Sequence, residues 1–226
     1  YGLDVYSLQD SIAAITQYLT DHGPDALNLV QEAYRCFEPY GQDGQNYAWG
    51  TAMVPETCED EVVRLLEELR RQAREAILEA DGDPEAAFNA KQNAWVVAEA
   101  EHYYRTMRRA SAASWHVRDH HMADSLDRLM AHYGPEAKAI VWEHNTHIGD
   151  ARATDMAQAD MVNVGQLMRE RHGTDDVVLV GFGSHRGTVV AGDAWGAPME
   201  VMTMPEAQPD SWEDVLHQAG ASDKLL

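Results

Sequence analysis

Cysteine occurs only at Cys36 and Cys58 in 226 residues. Two are too few for a disulfide scaffold, and their spacing is not that of a CxxC metal or redox site. A reducing cytoplasm is therefore the default expectation. No run of about 18 apolar residues occurs, and no basic-then-apolar leader opens the chain, so the reading is a soluble, cytoplasmic protein without a membrane partner. Positive charge is short as well: 17 Lys and Arg face 38 Asp and Glu, a formal net charge of -21. Such a surface repels nucleic acid, itself a polyanion. Lysine is nearly absent, with Lys91, Lys138 and Lys224 the only three. An acidic, lysine-poor surface points to a halophilic protein, because concentrated salt screens self-repulsion. A GC-rich coding preference would explain the low lysine but not the acid excess.

Several catalytic signatures are also missing. There is no GxSxG elbow, no GxxxxGK[ST] loop, no HExxH and no paired CxxC, so neither a serine-hydrolase triad nor a dedicated nucleotide site is supported. The composition is nonetheless globular. With 45% hydrophobic residues, the chain can bury the core of one large domain or two small ones.

Periodicity predicts a mostly helical chain interrupted by short strands. Leu3 and Val5 alternate like the tail of a strand, and Ser7 suits a helix N-cap. Leu8, Ile12, Ile15 and Leu19 mark one helical face that ends at Gly23-Pro24. A second helix follows over about 24–36, then an aromatic-rich loop over 37–50. Val62, Leu66, Leu69, Ala73 and Ile77 predict a helix over 57–80. Asp83 can cap the next helix with Pro84 in its first position, and that helix runs through Val97, Ala100 and Tyr104 to about 109. Together, residues 57–110 read as a long antiparallel helical-hairpin insertion, suited to a projecting lid or wall. A helix capped by Ser114 spans 114–132, and a shorter one spans 163–172. Residues 139–143 and 176–183 read as strands, the latter buried and turning through 184–187 into an edge hairpin. Asp210 with Glu213 fits a capping box for the last helix. This order implies an α/β fold with a central, mostly parallel sheet and flanking helices. An unpaired edge strand would invite a homo-oligomer.

The chemistry concentrates in "IVWEHNTHIGDARAT", residues 140–154. In α/β sheets ligands bind beyond the carboxyl ends of strands, which is where Glu143, His144, Asn145 and His147 fall. Imidazole titrates near neutrality, so these histidines can move protons, contact substrate or ligate a metal with a third residue. A polar loop that merely satisfies backbone groups is the bland alternative. Arg152 can hold a substrate oxygen or pin the loop to an acid. A second cluster, "SWHVRDHHM" over 114–122, places Arg118 and His121 on one side of a helix, with Asp119 read as a structural ion-pair partner. That cluster gains interest only if His121 faces the His144 loop.

These segments resemble the erythromycin esterase family, which also includes proteins labelled succinoglycan biosynthesis proteins. The resemblance rests on "WEHNTHIGDARATDM" (142–156) and "SWHVRDHHMADSLDRL" (114–129). "NVGQLMRERHGTDDVVLVGFGSHRGTVVAGDAWGAP", "SWEDVLHQAG", "GLDVYSLQDSI" and "FEPYG" extend it over nearly the whole of residues 1–226. It implies an α/β fold with a helical insertion and hydrolysis of a carboxylic ester, including macrolactones, by water rather than a serine nucleophile. It places His144 and His147 in the active site and Arg118 and His121 beside it. Antibiotic resistance is the associated role, and no cofactor or metal is implied. The family's presumed base lies in a G-E-x-x-H-G segment, and no such segment occurs here. The chain thus reads as the larger C-terminal part of the family domain, cut short at its N-terminus and also near its C-terminus. His116 and His185 stand where the family usually has Asn and Tyr. Two other readings stay open: a metal-dependent hydrolase built on His144, His147 and His121 or Glu143, and a non-catalytic binding member.

Overall fold

Our computed structural model describes residues 4–41, 44–51, 53, 57–78, 83–107, 111–193, 197–220 and 222. It falls into two compact units, 1–179 and 180–226. No helix among the described residues is long and apolar enough to cross a membrane.

The first unit is helical. The stripe Leu8, Ile12, Ile15 and Leu19 is the buried face of α1 (Leu8–His22), which stops at Gly23. α2 (Leu27–Phe37) follows a 3-10 turn, Pro24–Ala26. α4 (Glu59–Leu78) and α5 (Pro84–Met107) pack against each other. Asp83 caps α5 through the Ala86 N–H, 2.9 Å from its Oδ1. α6 (Ser111–Tyr133) and α8 (Val164–His172) complete the unit, with the short α7 (Asn145–Ile148) between them. α5 does not project as a lid: Ala90, Ala94, Val97 and Ala100 are core residues, and the helix packs against α1, α4 and α6. A smaller core of Met122, Ala123, Val164, Leu167 and Met168 joins α6 to α8.

Several local expectations change. The aromatic loop holds a helix, α3 (Gly44–Thr51), because Tyr47 is drawn into the core, where it donates to Glu101 and accepts from the Cys58 N–H, both at 2.8 Å. Val5 lies in a 3-10 turn (Val5–Ser7) whose side-chain cap is Asp4, while Ser7 makes none; Leu3 lies outside the described residues. α6 starts one turn before Ser114, which is buried inside it. The side chains of Ala73 and Ile77 lie outside the described residues. Cys36 and Cys58 are joined as a disulfide, which removes the premise for a cytoplasmic default.

The expected central parallel sheet is absent among the described residues, which hold one two-stranded antiparallel ladder. Residues 139–143 and 176–183 form no ladder and are largely exposed, with Ile140 97% and Trp142 85% accessible. A strand needs a neighbour to bond its backbone, and neither run has one here. In the second unit, β1 (Gly187–Ala191) pairs with β2 (Glu200–Met204), Val189 opposite Met202, rather than with the run before it. α9 (Trp212–Gln218) is capped one residue later than expected: Ser211 accepts from the Asp214 N–H.

Candidate active site

The His loop is pinned by α8. Asn163, the α8 N-cap, accepts from the backbone N–H groups of Ala151 and Gln166, each at 3.1 Å, and donates to the Thr146 carbonyl at 3.2 Å. Gly165 lets the loop lie directly on the helix, since a Cβ there would stand 2.1 Å from the Ile148 carbonyl oxygen. Only glycine allows that approach.

Held in this way, His147 is buried and faces α6, where Nδ1 lies 3.0 Å from each carboxylate oxygen of Asp119. Its ring stacks on Trp115, centroids 4.6 Å apart and 8° from parallel. Trp115 is itself fixed by its Nε1–H, which donates to the Val162 carbonyl at 2.6 Å. Asp119 is wholly buried. Burial pushes its carboxyl above the ordinary value, against the pull of His147, Arg118 and the Val164 backbone N–H. An Nδ1–H donated to Asp119 leaves Nε2 with its lone pair, so the carboxylate selects the tautomer that accepts a proton.

Glu143 completes the cluster. One of its carboxylate oxygens is buried without a hydrogen-bond partner. Burial raises its pKa, while His147, Asp119, Asp4 and Arg118 also act on it. Arg118 is anchored by Asp4 at 2.7 Å and lies 4.6 Å over the Tyr6 ring. A carboxylate–imidazole dyad, a half-buried carboxyl and a guanidinium thus act on one another electrostatically.

Other predicted residues fall elsewhere. His144 is exposed and caps α7, its Nδ1 3.0 Å from the Thr146 hydroxyl. Asn145 is exposed on the same turn. Arg152 pins the loop, bonding Asp150 at 2.7 Å and Glu170 at 3.4 Å; it holds the Asp150 carboxyl down at about 2. His121 points away from the loop, toward Trp95 on α5, and burial depresses its pKa to about 4. His144, His147, His121 and Glu143 are therefore not gathered around one point, and no group of three His, Cys, Asp or Glu among the described residues is placed to hold a metal. Asp119 and Trp115 are the members the sequence reading missed. Their signal was present in the Trp-His-Val-Arg-Asp run, whose Trp and Asp stand one helical turn apart.

The erythromycin esterase family model matches residues 1–226. Among solved structures, the chain is similar to a mutant erythromycin esterase in its open conformation. The TM-score is 0.70 at 20% identity, over 97% of this chain and 57% of that one. It is also similar to a succinoglycan biosynthesis protein, with a TM-score of 0.63 at 21% identity over 92% and 48% of the two chains. A Bacillus cereus protein matches with a TM-score of 0.68 at 19% identity, over 96% and 51%. The chain spans about half the length of these structures.

Proposed function

Because the chain belongs to the erythromycin esterase family, a group of esterase-like hydrolases, we propose that it forms the histidine half of a site that cleaves carboxylic esters with water. The observation that carries the reading is the buried Asp119–His147 dyad with Nε2 left to accept a proton. Water adds to the ester carbonyl carbon as Nε2 takes its proton, and the resulting imidazolium is stabilised by Asp119. Collapse breaks the acyl C–O bond, and the imidazolium returns the proton to the leaving alkoxide. Glu143, whose carboxyl is disfavoured as an anion by burial, lies within electrostatic reach of His147 and Asp119. Arg118, ion-paired with Asp4, favours the anionic form of both carboxyls. The substrate is a small-molecule ester, macrolactones among the candidates.

The apolar runs 139–143 and 176–183 support a companion proposal about the fold. Their exposed Ile140, Trp142, Val178 and Phe182 give them the composition of buried strands, and we propose that each run pairs with further chain in a mostly parallel sheet. The Asp119–His147 loop then stands at the carboxyl end of the first of those strands.

The test is hydrolysis of a panel of macrolides and simple esters in high salt by the full-length protein, by this chain, and by Asp119→Asn, His147→Ala and His144→Ala in the full-length protein. Turnover should fall by about a hundredfold or more in the first two variants and little in His144→Ala. A folded full-length protein that cleaves no ester, or that keeps its rate in His147→Ala, overturns the reading.

A further inference from the structure

Arg70 on α4 and Arg128 on α6 both lie against the indole of Trp95 on α5, their guanidinium carbons 5.5 Å and 3.6 Å from its ring centroid. They are close enough for their charges to repel. In a chain with 38 acids and 17 bases, arginines find carboxylates easily, as Arg64, Arg118 and Arg171 do. Among the described residues, Arg70 and Arg128 have none within ion-pair distance. Of the carboxylates that act on Arg128, Asp124 is committed to Arg171 at 2.9 Å, and Glu99 faces His102 at 3.8 Å.

A second observation lies on the same helices. The Trp95 indole N–H is buried with no protein hydrogen-bond partner, as are Gln92 Oε1 and both ring nitrogens of His121. Gln92 is one turn before Trp95 on α5. The His121 ring, 1% exposed, lies 13° from parallel to the indole at 6.5 Å. Buried polar groups nearly always find partners in protein, water or ligand, and these unpaired donors and acceptors lie beside two cations that have no carboxylate partner among the described residues. Guanidinium forks and an indole N–H suit an oxyanion, which also cancels their repulsion. Gln92 Oε1 can only accept, which favours an oxyanion that keeps a proton, as hydrogen phosphate does.

We propose that the junction of α4, α5 and α6 binds a phosphate group, free or as a phosphomonoester, between Arg70 and Arg128 beside the Trp95 N–H. The site is separate from the His147 dyad, because His121 and Asp119 look out from different sides of α6.

The full-length protein is titrated with inorganic phosphate, methyl phosphate or sulfate at matched ionic strength in chloride, with binding read by calorimetry and melting temperature. Saturable stabilisation by phosphate or methyl phosphate is expected, with sulfate weaker. Affinity should be about tenfold weaker in Arg70→Gln and Arg128→Gln and unchanged in His147→Ala. Because the Arg70 side chain is exposed, that variant keeps the test valid if Arg128→Gln fails to fold. If methyl phosphate alone fails, the site takes free phosphate. No saturable binding, equal binding in Arg70→Gln, or sulfate as good as phosphate overturns the proposal.

Discussion

At the scale of single residues, the site depends on two carboxyls that burial disfavours as anions. The folded pKa of Glu143 lies above its ordinary 4.5, so the native state binds a proton more tightly than the unfolded chain does. Its contribution to stability is therefore complete below 4.5 and is lost as pH rises through the folded value. At neutral pH the raised pKa opposes folding, because the unfolded chain gives up the proton more readily, and Glu143→Gln should melt higher than the parent at pH 7, with the gap closing well below pH 4.5. Melting curves across that range check it, and a variant that is less stable at pH 7 contradicts the burial argument. The pair of histidines was legible in the sequence, but their unequal roles were not. His147 and His144 differ only in where the loop turns, and that turn is set by Asn163 and Asp119, which are 16 and 28 positions from His147. Contacts across such separations depend on how α6 meets α8, which local periodicity does not encode.

Among the elements, the long helices were readable because a 3.6-residue stripe both predicts a helix and buries it; α1 and α5 follow their stripes, as α4 does at Val62, Leu66 and Leu69. The runs at 139–143 and 176–183 have strand composition, yet a strand exists only with a partner, and no partner sequence is visible within the run itself. The cysteines misled for a related reason: a pairing across 22 positions depends on α2 ending beside the start of α4. That crosslink encloses α3 and the Glu38–Tyr40 turn. Closing a loop of this length removes unfolded-state entropy worth about 3 kcal/mol in the chain-entropy model. Reduction, or Cys36→Ser with Cys58→Ser, should lower stability by about that amount and speed amide exchange across 44–51 first. Unchanged exchange there would mean that Tyr47, through Glu101 and Cys58, holds α3 without the crosslink.

For the whole molecule, the dominant quantity is a net charge of -21. Ion pairs relieve part of it: Arg171 bonds Asp124 and Asp127, and Arg152 bonds Asp150 and Glu170. Even if each of the 17 bases neutralised one acid, 21 carboxylates would be left facing one another. Repulsion among exposed charges is long-ranged in dilute buffer and is cut to about 3 Å at 1 M ionic strength. Melting temperature should therefore rise steeply between about 0.1 and 1 M potassium chloride. It should climb more slowly beyond, where screening is complete and only salting-out of apolar surface remains. Replacing ten exposed carboxylates with their amides should flatten the first phase and spare the second. The two phases separate the explanations: a single gradual slope, unaltered by those amides, would assign the salt response to apolar burial and leave the acid excess without a stabilising role in concentrated salt.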